Sequence, residues 1–347
     1  MNNKTKLSLP TLSVIIVTKN NRRTLPRLLR NIESQDYPRK KLEVIIVDGN
    51  STDGTIDLIK SSRLKIKLVF GKKPNDPETC KGEGLHLAKG EMVALIDSDN
   101  YLPNNDWFRK MVTPLLEDKN IVGSFTWRFA YRKKDIYLNR YFSLIGSADP
   151  VGLYLGKADK MSYISDKWTG FGSVIRDEKD YFVVRFDREH FPTLGSNGFI
   201  ARRKYLLKGK SDMNNFFHID VPFDILKFKL SDYAVVRDVV IHDTAIALFP
   251  YVIKRARYMM LHYQKRSSER RYKVFDPART QDIIGVILFI IFSCTFIQPF
   301  YISIRGYLKK PDIAWFIHPI FCFSIFVTYI VAILIKLFKG LFMTFTN

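Results

Sequence analysis

Two long uncharged runs near the C-terminus constrain the fold of this chain most. No Asp, Glu, Lys or Arg occurs in residues 283–304 or in residues 313–335. At about 1.5 Å of rise per helical residue, each run is long enough to cross a hydrocarbon core of roughly 30 Å. We therefore predict two transmembrane helices over these ranges, joined by a short basic link at 305–312. The alternative is that both runs form buried helices of a soluble core.

The basic residues are concentrated beside these runs. Lys and Arg number 55 against 34 Asp and Glu, which gives a formal net charge of +21 and requires an anionic partner or surface to be considered. Many of them lie in a juxtamembrane segment, 251–282, and this excess predicts that the preceding domain faces the cytoplasm at the cell membrane. The link between the two runs carries Arg305, Lys309 and Lys310, which disfavours its transfer across the membrane. A shallow, re-entrant hairpin is therefore an alternative to two complete crossings. No nucleic-acid-binding module is recognisable, so we expect no nucleic-acid partner.

Apolar strands and amphipathic helices alternate through the first hundred residues. The patterns predict strands at 12–17, 42–47 and 64–70 and a strand ending at Asp97, with helices at 26–34, 55–60 and 81–89. This alternation predicts an α/β domain over 1–250, with a mostly parallel sheet and helices on both faces. Neither a Gly-x-Gly-x-x-Gly turn nor a P-loop follows a strand, so dinucleotide and P-loop sites are not supported. The polar first ten residues lack the apolar core of a signal peptide, which favours a cytoplasmic start of the chain.

Carboxylates follow the buried strands. Asp97 and Asp99 end the apolar stretch 92–96, and Asp48 ends the second strand. In open α/β sheets, ligands bind beyond the carboxyl ends of the strands. Carboxylate oxygens suit Mg2+ or Mn2+, and such an ion in turn holds phosphates. An Asp-x-Asp triplet alone is a weak signal, because such pairs also cap helices and shape turns, but its position after a buried strand strengthens it.

Four motifs together resemble one enzyme family. They are Thr18-Lys19-Asn20, the run from Val47 to Thr55, the run from Lys89 to Asp99, and Gly195-Ser196-Asn197-Gly198 continuing to Arg203. In order and spacing they resemble the family-2 inverting glycosyltransferases of the GT-A fold. The resemblance covers roughly residues 11–245, although residues 126–188 match no recognisable motif. It implies the GT-A fold and a nucleotide-sugar donor.

The resemblance also implies site roles. Asp48 would contact the nucleotide base and Asp97 the ribose, and Asp99 would bind a Mn2+ or Mg2+ ion that bridges the diphosphate. Thr18, Asn20 and Asn50 would complete the nucleotide site. Lys81 either adds a positive charge near the phosphates or is an exposed helix lysine. His242 either helps to hold the metal or is a satisfied core histidine. Asp53 is expected to cap the helix that begins near Thr55.

Inversion requires one base to take a proton from the acceptor hydroxyl. Similar enzymes carry it in a Glu-Asp motif that is missing here, where His218-Ile219-Asp220 stands instead. We predict Asp220 as the base, with Asp224 as the alternative. His218 is either a partner of Asp220 or a surface histidine. The Gln-x-x-Arg-Trp motif of processive synthases is absent at 255–258, so a polymerase that extrudes its product is not expected.

These observations predict a membrane-anchored inverting glycosyltransferase at the cytoplasmic face. The expected acceptor is lipid-linked, either a polyprenyl phosphate or a lipid-linked glycan, because a membrane anchor holds the catalytic domain where such lipids lie. A glycosyltransferase acting on a non-lipid glycan is one alternative. The other is a catalytically silent membrane scaffold that binds nucleotide sugars, which the missing Glu-Asp pair favours. Neither the sugar nor the nucleotide base follows from the sequence.

Overall fold

The computed structural model describes residues 8–195, 197–212, 216–244, 246–260 and 267–345. It divides the chain into two compact units. The first, here called the sheet unit, comprises Met1–Ala130, Asp159–Met161 and Trp168–Thr244. The second, the helical unit, comprises Tyr131–Ala158, Ser162–Lys167 and Ala245–Asn347. Two segments from the middle of the chain therefore belong with the C-terminal helices.

The sheet unit is built on one large sheet. Its strands are β1 Leu12–Thr18, β2 Leu42–Asp48, β3 Ile66–Phe70, β4 Met92–Asp97, β5 Asn100–Tyr101, β6 Gly123–Phe129, β7 Ser173–Asp177, β8 Tyr181–Arg185, β9 Phe199–Arg202 and β10 Asp232–His242. They are ordered β3-β2-β1-β4-β9-β6-β10-β8-β7, and β5 pairs with β10. The pairs among β3, β2, β1 and β4 are parallel, as is β6 with β10. The other pairs are antiparallel, so the α/β class is confirmed with a mixed sheet.

Helices numbered along the whole chain connect these strands. Those in the sheet unit are α1 Leu25–Glu33, α2 Thr55–Lys60, α3 Pro77–Leu87, α4 Trp107–Glu117, α7 Arg203–Leu206 and α8 Asp220–Asp224. Helix α3 begins four residues before the predicted start at Lys81, because the Asp76 carboxylate accepts a hydrogen bond from the Glu78 N–H and caps the helix at Pro77. The helix packs closely on β1, since a Cβ on Gly84 would lie 2.4 Å from Ile15 Cγ2.

The helical unit contains α5 Tyr137–Ile145, α6 Pro150–Tyr154, α9 Leu248–Tyr258, α10 Thr280–Thr295, α11 Ile297–Lys309 and α12 Ile317–Phe345. Within the described residues, Ile313–Leu337 is the one helix long and apolar enough to cross a membrane, or one of two if α10 and α11 count as a single bent span. The span predicted over 283–304 is divided between α10 and α11. Phe296 adopts a left-handed conformation at φ 60°, and the axes of α10 and α11 differ by 82°.

Charged side chains of the internal segment bind the C-terminal helices within this unit. Lys157 Nζ lies 2.5 Å from Asp282 Oδ2, and both side chains are almost fully buried. Arg140 Nε lies 3.0 Å from Asp312 Oδ2, which also accepts a hydrogen bond of 2.6 Å from the Tyr131 hydroxyl. Removal of the C-terminal helices would therefore leave buried charges without partners, which is costly in a protein interior.

Candidate active site

Three strand ends bring polar side chains to one edge of the sheet. In the parallel register, Thr18 on β1 is opposite Asp48 on β2, and Val17 is opposite Asp97 on β4. The central residues of these strands are apolar and mostly buried, and polar residues follow them together where the strands end. The structure thus brings together Thr18, Asp48 and Asp97 as the sequence predicted.

The Asp48 carboxylate is completely buried and fixed by a tight turn. It accepts hydrogen bonds of 2.7 Å from both the backbone N–H and the hydroxyl of Ser51. Asn20 links the loop after β1 to the loop after β2. Its N–H donates to Ser51 Oγ at 2.8 Å, and its side-chain oxygen accepts from the Thr52 N–H at 2.8 Å. Asn20 and Asn50 both adopt positive φ angles, of 53° and 59°. The Asn50 side chain is exposed, so the structure gives Asn20 a structural role in the loop and leaves Asn50 accessible.

Asp53 lies behind this loop and supports it. Its carboxylate accepts hydrogen bonds from the Thr55 N–H at 3.0 Å and from the Arg22 N–H at 3.1 Å. Gly54 precedes α2 as its first flanking residue, with a φ of 88°. The carboxylate therefore ties the start of α2 to the loop after β1, close to the capping role expected of it.

Lys81 forms a buried ion pair with Asp97. Lys81 Nζ lies 3.0 Å from Asp97 Oδ1, and the lysine side chain is only 9% exposed. Burial alone would lower the pKa of Lys81, but the neighbouring carboxylates of Asp97 and Glu78 raise it overall, so the amine is charged. The alternative of an exposed helix lysine is therefore wrong. A fixed cation beside Asp97 can attract the phosphates of a nucleotide.

Asp99 and His242 lie close together at the next strand end. Strands β5 and β10 pair so that His242 is opposite Asn100, and His242 Nε2 lies 3.7 Å from Asp99 Oδ2. The Asp243 N–H donates to the Asp99 carbonyl at 2.9 Å, and the His242 ring stacks on Phe129 with centroids 5.2 Å apart. The expectation that these two residues are neighbours is thus met by the geometry, while metal binding stays a prediction.

The donor set fits a divalent cation in part. Two ligand atoms at about 2.1 Å from one ion can be separated by about 3–4 Å, which matches the Asp99–His242 distance. No group of three or more His, Cys, Asp or Glu suited to a metal occurs within the residues that the structure describes. The remaining ligands would be phosphate oxygens and water, as is usual for Mg2+ at a nucleotide.

The two candidate bases have different surroundings. Asp220 is the first residue of α8 and is completely buried. Asp224 ends the same short helix, is half-buried, and accepts a hydrogen bond of 3.2 Å from the Lys210 N–H. His218 is not a surface histidine, because its side chain is 15% exposed and its ring nitrogen Nδ1 lies 2.7 Å from Glu78 Oε1. A role as partner of Asp220 stays a prediction. The choice of Asp220 over Asp224 stays a prediction.

Sequence reasoning missed Glu78. This residue is 3% exposed and lies in the first turn of α3, between the cap Asp76 and Lys81. Its partner His218 is 140 positions away in the chain, and a single sequence carries no signal of such a contact. The one available hint was a Glu in the first turn of a helix, where a carboxylate is ordinarily explained by the helix dipole.

These strand ends form a carboxylate-lined edge of an α/β sheet, the position at which such sheets bind ligands. Residues 13–177 match the family model described as Glycosyl transferase family 2. This match covers just under half of the chain, and it confirms the recognition made from the motifs.

Two of the similar curated proteins are named as glycosyltransferases. The GalNAc(5)-diNAcBac-PP-undecaprenol beta-1,3-glucosyltransferase of Campylobacter jejuni is 35% identical over 99 residues, which are 27% of this chain and 31% of the relative. A dolichyl N-acetyl-alpha-D-glucosaminyl phosphate glucuronosyltransferase of Methanococcus voltae is 31% identical over 106 residues, 29% of this chain and 32% of the relative. The matches thus span about a third of each relative's length.

One solved structure is similar to this chain at low sequence identity. The mannosyltransferase of Pyrobaculum calidifontis, in complex with GDP-Man and Mn2+, gives a TM-score of 0.48 at 18% identity. The match covers 92% of this chain and 86% of that one.

Proposed function

We propose that this protein is a membrane-anchored inverting glycosyltransferase that transfers a sugar from a nucleotide-sugar donor to a lipid-linked acceptor at the cytoplasmic face. One observation carries the proposal. Asp48 at the end of β2, and Asp97 and Asp99 at and just after the end of β4, lie on the two sides of β1. The buried cation of Lys81 is bound to Asp97, and all these residues lie in the region that matches Glycosyl transferase family 2. The carboxyl ends of the strands are where α/β sheets bind nucleotides.

The donor would be held by groups with separate tasks. Asp48 would accept from the base and Asp97 from the ribose hydroxyls, while Lys81 sets the orientation of Asp97 through their ion pair. Asp99 and His242 would hold a Mn2+ or Mg2+ ion. Such an ion, when bound, neutralises charge on the departing nucleoside diphosphate.

Asp220 would act as the base of a single displacement. Its carboxylate takes the proton from the acceptor hydroxyl while that oxygen bonds to the anomeric carbon. The bond from this carbon to the diphosphate oxygen breaks on the opposite face, so the anomeric configuration inverts.

The proposed membrane anchor and the proposed lipid-linked acceptor support each other. The helices α10, α11 and α12 present many exposed Ile, Leu, Phe and Val side chains, which a lipid phase would cover. The relatives in Campylobacter jejuni and Methanococcus voltae are named for undecaprenol-linked and dolichyl-linked substrates. A polyprenyl phosphate or a lipid-linked glycan is accordingly the acceptor class that we propose.

A panel of nucleotide sugars tests the donor half of the proposal. The full chain in detergent should be stabilised against heat by at least one UDP- or GDP-sugar in the presence of Mn2+, and EDTA should reverse the shift. Absence of any Mn2+-dependent shift would contradict the proposed donor site.

The chain has His218-Ile219-Asp220 where similar enzymes carry a Glu-Asp pair, and this difference favours a second candidate function, that of a catalytically silent scaffold. In that case the chain binds nucleotide sugars at the membrane without turning them over. Transfer to undecaprenyl phosphate, measured with the donor that binds, separates the two functions. Binding without transfer to any lipid-linked acceptor would favour the scaffold.

A further inference from the structure

Glu78 makes two hydrogen bonds to one residue, His218. The His218 backbone N–H donates to Glu78 Oε2 at 2.8 Å, and the ring nitrogen Nδ1 lies 2.7 Å from Oε1. The Glu78 side chain is 4% exposed and that of His218 is 15% exposed. Burying a carboxylate to this degree costs free energy unless it is paired. The contact with His218 therefore stabilises the charged form of Glu78 within the sheet unit.

Glu78 is also coupled to the proposed donor site, because Lys81 interacts with both Glu78 and Asp97. Burial alone would raise the pKa of Glu78, but the charges of His218 and Lys81 and the hydrogen bonds from His218 lower it well below its usual range. Glu78 and Lys81 are three residues apart on α3 and therefore on one face of the helix. Lys81 in turn binds Asp97 at 3.0 Å. An ordered series of charges thus connects Asp97 with His218.

His218 is also held from its other side. Gly195 has a φ of 148°, and a Cβ at this position would lie 2.4 Å from the His218 carbonyl oxygen. The Gly195 backbone therefore approaches His218 as closely as only glycine permits. Asp220, two residues on, begins α8. The backbone that leads into the candidate base is therefore fixed by a side chain from α3 and by the Gly195 turn.

We propose that Glu78 and His218 are positioning residues that fix Asp220 relative to the donor site, through the bonds to the His218 backbone and ring and through Lys81 to Asp97. The inference rests on the proposed transferase function. Its physical basis is that a displacement of about 1 Å at a reacting group can lower a rate by about 100-fold. Both residues would act through Asp220 and not through contact with the substrates.

The first test is the pair Glu78→Gln and Glu83→Gln in the full chain. Both residues are buried carboxylates on α3, but Glu83 accepts a hydrogen bond of 2.9 Å from the Lys72 N–H and is not bound to His218. Glu78→Gln should lower kcat by about 10- to 100-fold and change donor KM by less than about 3-fold. Glu83→Gln should leave kcat within about 3-fold of the unmodified protein.

The second test separates positioning from a general loss of structure. In an Asp220→Asn background no base is left to position, so adding Glu78→Gln should lower the residual rate by less than about 3-fold. An equal loss with and without Asp220 would overturn the proposal. If Glu78→Gln does not fold, His218→Leu is used instead, because it retains the backbone N–H and removes the ring nitrogen that contacts Glu78.

The assay uses transfer to undecaprenyl phosphate from the UDP- or GDP-sugar that supports turnover. If Asp220→Asn transfers as fast as the unmodified protein, the proposed base is wrong and the failure belongs to the proposed function. If transfer is lost in Asp220→Asn while Glu78→Gln and His218→Leu have the same kcat as Glu83→Gln, the positioning role is wrong and the proposed function stands.

Discussion

The substitution Lys81→Met removes the buried cation of the candidate site while nearly keeping the length and volume of the side chain. It leaves the carboxylates of Asp97 and Glu78 facing each other without a positive charge between them. Removal of one partner from a buried ion pair costs about 3–5 kcal/mol. Because the Asp97 side chain is 31% exposed and part of its charge is solvated, we expect about 2–4 kcal/mol.

Thermal unfolding of the full chain in detergent measures this effect. For a unit of this size, each kcal/mol lowers Tm by about 2–4 °C, so Lys81→Met should unfold roughly 5–15 °C below the unmodified protein. Lys309→Met is the matched control, since Lys309 Nζ lies 3.2 Å from Asp166 Oδ2 and both side chains are more than half exposed. Such a solvated pair is worth about 0.5 kcal/mol, so its Tm should change by about 2 °C at most.

The Tm difference between Lys81→Met and the unmodified protein should depend on pH in a defined direction. The raised pKa of Lys81 means that its contribution is complete below the unfolded pKa of about 10.4 and is lost as pH rises through the folded pKa. The lowered pKa of Glu78 means that its contribution is complete above about pH 4.3 and is lost as pH falls. The difference between the two proteins should therefore be constant near neutrality and narrow in acid. An equal Tm at pH 7, or a difference that widens in acid, would refute the reasoning.

Three further predictions concern the site and the anchor. Asp99→Ala should abolish Mn2+-dependent donor binding in calorimetry while the domain stays folded, and undiminished binding would reject Asp99 as a ligand. Asp220→Asn should lower transfer by about 10²–10⁴-fold with little change in donor affinity, whereas the same loss in Asp224→Asn alone would move the base by one turn. The full chain should stay in the membrane pellet in molar salt, which screens charge but not apolar insertion, and its release would show a purely electrostatic attachment.

The strand ends were predictable because they depend on local patterns. Apolar runs that end in a carboxylate or a small polar turn identify β1, β2 and β4, and parallel pairing then places Asp48 and Asp97 at one edge. The loop geometry also follows from local chemistry, since Asn20 and Asn50 tolerate the left-handed conformation that the turns require. Sequence order and residue type were sufficient for this part of the site.

Contacts between distant segments were not predictable from one sequence. Lys81 was open to an exposed interpretation because nothing near it in the chain reveals the carboxylate of Asp97. The pairing of Lys157 with Asp282 joins residues 125 positions apart and ties an internal segment to the C-terminal helices. The bend at Phe296 had only the nearby Gln298 and Pro299 as a signal, and proline is tolerated in a first helical turn without any bend.

The helical unit changes how the anchor should be tested. A chain ending near Arg279 would lose the Asp282 partner of Lys157 and the Asp312 partner of Arg140. Misfolding would then be confused with loss of the anchor. Salt and alkaline extraction of the intact protein avoid this problem, and the bent pair of α10 and α11 makes the number of crossings a separate question from attachment.

The anomeric configuration of the product tests the central claim most directly. The full chain is incubated in detergent with Mn2+, a UDP- or GDP-sugar of known configuration and undecaprenyl phosphate, and the new linkage is determined by NMR. We predict a product with the configuration opposite to that of the donor, formed by the unmodified protein and lost in Asp220→Asn. A product that retains the donor configuration, or an unchanged yield in Asp220→Asn, would contradict a single displacement by a carboxylate base.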